Sequence, residues 1–196
     1  MPRLPDPELE ARIVAAALRL LDRGGEAVIT MRSVAREAGT TTPTIYGRFS
    51  DRDRLMETLV DHITNDIMAM LRRKTDVEAM FREYLRYSQA HPLRMNLSVT
   101  TFGRRFVAGE EMPAFELLMA RISEQLGVRG RECQDLALAV ASLAFGTAQG
   151  MIAAGSDTRH AGQLRRSSLR ALRMLVAAFS PAQAARQASA RRPANH

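Results

Sequence analysis

Residues 30–49 read TMRSVAREAGTTTPTIYGRF, and the fold turns on how this stretch is punctuated. Thr30 is a good N-cap, and Val34, Ala35 and Ala38 form an apolar face behind it, which predicts a short helix over 31–38. Gly39 follows at the place where a helix commonly exits through a left-handed residue. Thr40-Thr41-Thr42-Pro43 then restarts the chain, with a threonine as cap and Pro43 in the first turn, and the new helix ends near Phe49. Two short helices joined by a glycine-bearing turn are the pattern of a helix-turn-helix. Val34, Ala35, Ala38, Ile45 and Phe49 supply its packing face. Thr41, Thr42, Thr44, Tyr46, Gly47 and Arg48 are left on the outer side.

The flanks extend the helical reading. Over residues 8–23, Leu9, Ile13, Ala16, Ala17, Leu20 and Leu21 recur at helical spacing, and Gly24-Gly25 stops the run. Ser50 or Asp51 caps a long fourth helix over 52–73, whose inner face is Leu55, Leu59, Ile63, Ile67, Met70 and Leu71. Further helices are expected over 76–89, 92–106, 113–126, 131–154 and 161–179, and no stretch alternates with a period of two. The expected fold is therefore all-α. A helix-turn-helix domain over 1–52 is joined by the fourth helix to a helical domain over 53–179, and 180–196 form a small, polar, basic tail.

Composition narrows the function. At 46% hydrophobic, the 196-residue chain carries too much apolar content to be disordered. No uncharged apolar run is expected to reach span length, and residues 1–6 do not look like a secretory leader, so a cytoplasmic protein without a membrane partner is expected. The single cysteine, Cys133, cannot form an internal disulfide or a cysteine-rich zinc site, and a buried, inert thiol is the commoner state. His62, His91, His160 and His196 lack metal-ligand spacing. There is no phosphate loop, dinucleotide fingerprint or nucleophile elbow, hence no expected cofactor, metal or enzyme activity. Net charge is +7, with 27 arginines and one lysine, which suggests an anionic partner. Residues 1–74 nevertheless hold 12 basic and 11 acidic residues, so the case for DNA rests on individual positions.

Those positions are specific. Thr42 and Thr44 are small enough to let a backbone enter the major groove, where they can bond base edges or touch a thymine methyl, and the Pro43 ring can make the same apolar contact. Tyr46, Arg48 and Arg52 suit phosphates. The run from ARIVAAALRLLDRGG through ITMRSVAREAG and TTPTIYGRF to SDRDRLMETLV, about residues 8–60, resembles the DNA-binding domain of the TetR family of bacterial transcription regulators. The resemblance implies that Arg32 reads a base from the second helix, that Thr42, Pro43 and Thr44 form the recognition surface, and that Thr41, Tyr46, Arg48 and Arg52 contact the DNA backbone. Arg48 replaces the usual histidine, Arg52 the usual lysine, and Gly47 a bulkier residue.

For the remainder, the resemblance implies effector binding and dimerisation. Candidate pocket residues are His62, Met68, Tyr84, Met95, Phe102, Phe106, Phe115, Met119 and Gln149, because methionine and phenylalanine adapt to apolar ligands and the others add polar contacts. Apolar stripes over 134–154 and 161–179 give a candidate interface of Leu136, Val140, Leu143, Leu164, Ser168, Leu172, Leu175 and Phe179, a pair of helices per subunit in a four-helix bundle. The same stripes would also suit a subunit's own core. The expected function is a ligand-responsive repressor that binds a palindromic operator as a homodimer and is released by a small apolar effector. The alternative is a dimeric carrier or protein-interaction module that keeps the fold without specific DNA binding.

Overall fold

The computed structural model describes residues 7–110 and 112–179, with side chains excluded at 7 and over 100–107. The expected tail over 180–196 lies outside the described residues. Nine α-helices follow in order among them: α1 (Pro7–Gly24), α2 (Met31–Glu37), α3 (Thr42–Tyr46), α4 (Arg52–Arg72), α5 (Val77–Ala90), α6 (Pro92–Ala108), α7 (Pro113–Leu126), α8 (Gly130–Ala153) and α9 (Thr158–Ala178). A 3₁₀ turn over Glu26–Val28 links α1 to α2, and no strand occurs among the described residues.

Helix ends follow local chemistry. Asp51 Oδ1 accepts the Arg54 N–H at 2.8 Å and so caps α4. That bond, with a second from the Ser50 hydroxyl, holds the Asp51 carboxyl below its ordinary range. α9 starts three residues earlier than its apolar pattern suggests, because Asp157 accepts the His160 N–H at 3.0 Å and nucleates the turn. α7 ends on Gly127 in the left-handed conformation, its N–H bonded to the Ser123 carbonyl at 2.9 Å. α3 stops at Tyr46 rather than near Phe49, since Gly47 weakens the helix.

The chain forms two compact units. The first comprises the chain up to Asp66 together with α6, which returns to pack on α1. Its core is Ile13, Ala16, Ala17 and Leu21 of α1, with Ile29, Val34, Ala35, Ile45, Phe49, Leu55, Leu59 and Ile63. Arg94 of α6 grips Asp22 of α1 with two parallel bonds of 2.8 and 2.6 Å, the strong bidentate form of the ion pair.

In the second unit α5, α7, α8 and α9 surround Val77, Phe81, Leu85, Ile122, Leu136, Ala137, Val140, Ala148, Met151 and Leu172. Here the expectation about membrane spans needs correction. No charge occurs from Leu136 to Ser156, and α8 is long and apolar enough to cross a membrane. The fold uses it as the central helix of this unit, burying Leu136, Ala137, Val140, Thr147, Ala148 and Met151. Its one buried hydroxyl is satisfied: Thr147 bonds the Leu143 carbonyl at 2.6 Å and the Ser168 hydroxyl at 2.7 Å.

At the edge of the unit, Glu78 of α5 accepts bonds of 2.9 and 2.7 Å from Arg173 of α9 and a further pair from Arg82. These bonds, Arg173 first, lower the Glu78 pKa to about 2. A depressed carboxylate stabilises the fold above its unfolded pKa and loses that contribution as pH falls toward its folded one. Because the site is solvent-accessible, Glu78→Gln should cost about 1 kcal/mol at pH 7. In urea titrations the gap between variant and parent should narrow steadily from pH 5 toward pH 2.

Candidate nucleic-acid interface

Five residues make α3, too few to persist alone in water, so its position is set by its neighbours. Thr30 and Ser33 close a reciprocal cap at the start of α2: Ser33 N–H donates to Thr30 Oγ1 at 3.0 Å, and Thr30 N–H donates to Ser33 Oγ at 2.9 Å. The Ser33 hydroxyl also donates to the Val28 carbonyl at 2.7 Å, fixing the incoming turn. Glu37, at the far end of α2, accepts from Arg19 at 2.9 Å and from Arg23, both on α1. The two arginines hold its carboxyl below the usual range. α2 is thus tied to α1 at both polar ends and by Val34 and Ala35 between them.

Gly39 makes the turn with φ +64, a conformation that a side chain would strain. The Thr40 N–H then bonds the Ala35 carbonyl at 2.9 Å. Thr41 caps α3, its hydroxyl receiving the Thr44 N–H, and Pro43 occupies the first turn, where a missing N–H costs nothing. Ile45 and Phe49 are buried and pin the helix to the core. The rest of α3 points away from it: Thr41, Pro43, Tyr46 and Gly47 are exposed, and Thr42, Thr44 and Arg48 are half-exposed. Tyr46 keeps 54% of its surface in solvent, unusual for an aromatic side chain. Arg32, on the outer side of α2, is exposed as well.

Arg52 is placed differently from the sequence expectation. Its Nε donates to the Ile29 carbonyl at 2.9 Å, while one terminal nitrogen donates to the Glu26 carbonyl at 3.1 Å and the Glu26 carboxylate at 3.3 Å. The side chain is a strut between the start of α4 and the turn before α2. No sequence signal distinguishes a strut of this kind from a phosphate contact, because both need a guanidinium at the head of a helix.

The candidate pocket residues do not converge within one unit. Met95 is buried in the first unit, where His62 lies exposed 3.9 Å from Asp66. Tyr84, Phe115 and Met119 pack on the core of the second unit, which also holds the buried Met68. Burial raises the Tyr84 pKa to about 12. Gln149, in the same unit, has a buried Nε2 without a hydrogen-bond partner. Phe102 and Phe106 lie outside the described side chains. A surface groove runs instead along Asp76, Glu78, Arg82, Gln125 and Arg173, none of them singled out from the sequence.

The interface expectation is corrected at three positions. Leu136, Val140 and Leu172 are buried within the unit's own core and are unavailable to a second chain. Leu143, Leu175 and Phe179 are partly buried against that core, and Ser168 bonds Thr147. Leu164 alone of the set is classed as exposed, at 38%. Cys133 is buried, and burial pushes its thiol pKa up, away from the reactive thiolate.

The arrangement defines a helix-turn-helix protein with a second, all-helical unit. Residues 13–59 match the family model of the bacterial regulatory proteins of the tetR family. The chain belongs to that family through this domain. The HTH-type transcriptional regulator BetI of Paraburkholderia phytofirmans is 34% identical over 88 residues, 44% of this chain and 45% of the relative. BetI of Burkholderia mallei is 33% identical over 75 residues, 38% of each chain. These matches span less than half the length of the curated relatives. Across nearly the whole chain the fold is similar to that of a protein of unknown function from Rhodococcus sp. RHA1, with TM-score 0.71, 17% identity, and coverage of 92% of this chain and 100% of that one. A TetR from Streptomyces coelicolor gives TM-score 0.69 at 20% identity, covering 87% and 96%. A TetR variant from Acinetobacter baumannii, solved in complex with minocycline, gives 0.64 at 16%, covering 86% and 94%.

The strut assignment is open to direct test. Arg52→Met should lower unfolding free energy by about 1–2 kcal/mol, the scale of lost hydrogen bonds from a charged donor. Chemical denaturation of the variant beside the parent reads this, and an unchanged midpoint would return Arg52 to the outer surface.

Proposed function

We propose that this chain is a ligand-responsive transcriptional regulator, a repressor that holds a palindromic operator as a homodimer and leaves it when a small apolar effector binds. The observation that carries the reading is α3, pinned by Ile45 and Phe49 and presenting Thr42, Pro43, Thr44 and Tyr46 outward. An exposed helix with small residues at its start suits entry into the major groove, about 12 Å wide. Arg32, Tyr46 and Arg48 surround it with groups suited to bases and phosphates. The family match over residues 13–59 and the BetI relatives support the same reading.

One α3 spans only a few base pairs, so a second half-site needs a second copy. A face of α8 and α9 suits that copy. On α9, Leu164, Ser167, Ala171, Met174 and Ala178 recur at helical spacing outside the core, and Met174 is 74% exposed. On α8, Ala139, Ser142, Gly146 and Ala153 are exposed and small, allowing close helix approach. Such a face joins two subunits through a four-helix bundle. Release then follows from linkage: an effector preferring a conformation with misplaced α3 helices must weaken operator binding. The neighbour solved with minocycline supports a small molecule as the ligand class. Tyr84, Phe115, Met119 and the unpartnered donor of Gln149 are the second unit's contributions to such a site.

Selecting bound fragments from a random DNA pool should return a consensus with two inverted half-sites. Recovery of no enriched sequence would favour the carrier reading. Met174→Glu should give a helical monomer by light scattering and circular dichroism, because the charge enters only the face between copies. Leu172→Glu should instead unfold the chain, since it leaves a charge unpaired in the core.

A further inference from the structure

The hydrogen-bonding inventory of α3 is unusually short. From Thr41 to Gly47 the side chains are three threonines, a proline, an isoleucine and a tyrosine. None carries the two adjacent polar groups with which Asn, Gln or Arg reads adenine N6/N7 or guanine O6/N7. The hydroxyls are reduced further by the cap. Thr41 Oγ1 and Thr44 Oγ1 lie 2.8 Å apart and share a hydrogen bond, and Thr41 Oγ1 also receives the Thr44 N–H at 3.4 Å. That bond consumes one of the two hydroxyl protons and ties the Thr44 oxygen to the helix start. What the half-exposed Thr44 and exposed Pro43 then offer a base pair is mainly apolar: a γ-methyl and a pyrrolidine ring. In the major groove the apolar feature that separates one base from the others is the thymine C5-methyl.

Resting on the DNA-binding reading above, we infer that α3 selects its half-site through thymine methyl groups met by Pro43 and Thr44, while the Thr44 hydroxyl serves the cap and not a base. This makes Thr44 a specificity determinant through its methyl group alone. It also assigns the half-site a chemistry: thymines at the positions beneath α3, on either strand. Hydrogen-bond readout of guanine then falls to residues off this helix, of which Arg32 is an exposed guanidinium.

The test uses the full chain and the consensus duplex from the random-pool selection. Each half-site thymine is replaced, symmetrically in both halves, by deoxyuridine, which keeps base pairing and deletes only the methyl. One buried methyl is worth about fourfold in affinity, so a symmetric pair should cost about fifteenfold at the positions read by α3. Thr44→Ser keeps the capping hydroxyl and removes the methyl. It should weaken thymine DNA by about the same factor and show no further loss on uracil DNA at its own position. Thr44→Val keeps a methyl and lacks the hydroxyl, and should retain the preference for thymine over uracil. Circular dichroism and melting temperature confirm that each variant is folded.

A consensus without thymines in the half-site overturns the inference. So does a duplex indifferent to uracil at every position, or a Thr44→Ser variant that weakens thymine and uracil DNA equally at all positions. In each of those cases the chain still binds specific DNA, and the regulator reading stands. Absence of any selected DNA would remove both.

Discussion

Burial of Ile45 is the constraint on which the outer surface depends. A helix of five residues has made the costly first turn and gained almost no propagation, so nothing within α3 keeps it helical. Ile45, fully buried between α2 and the rest of the first unit, supplies what the backbone cannot. Phe49 repeats the anchor one turn later, after the chain has left the helix. Between these two apolar pins, Thr42, Pro43, Thr44 and Tyr46 are held in place by residues they do not touch in sequence order. The pairing of Glu37 with Arg19 and Arg23 does the same for α2, from the polar side.

That division explains why the first unit was legible before its coordinates. Thr30, Gly39, Thr41 and Pro43 act on the backbone within three or four residues, so their meaning survives without tertiary knowledge. The apolar positions of α1, α2 and α3 face one direction only, because polar residues fill the others. The second unit lacks this contrast. Leu136, Leu172 and Met174 all sit on helices that are apolar or small on more than one face, and periodicity cannot say which face meets the chain's own core. Leu136 and Leu172 were equally good candidates for a contact between copies, yet they are among the most buried side chains. The uncharged run from Leu136 to Ser156 has the same root: a central helix is apolar nearly all round.

Arg52 shows a different limit. Its residue type and position fit a phosphate contact, and the same fit serves the carbonyls of Ile29 and Glu26. Only the path of the 3₁₀ turn, which brings those carbonyls to the head of α4, decides between them. A guanidinium can satisfy both acceptors at once because its donors form a rigid fork; an ammonium offers a point charge without that geometry. The departure from the usual lysine at this position is therefore a structural change as well as a conservation of charge. The assignment of α6 to the first unit was invisible for a similar reason. Arg94 reads as one more surface arginine until Asp22 is found beside it.

The interleaving of the units also imposes an order on how the molecule comes into being. Asp22 and Arg94 are separated by 72 positions in the chain, and α4 and α5 must be synthesised between them. While the nascent chain is still short, α1, α2 and α3 can collapse around Ile13 and Ile45, but the side of α1 that receives α6 stays open to water. Closing that long loop carries an entropy cost that grows only slowly with its length, so the delay is set by translation more than by thermodynamics. The ribosome must release α6 before the DNA-binding head has its full complement of contacts. A chain interrupted anywhere before residue 91 would therefore present an incomplete head rather than a smaller finished one.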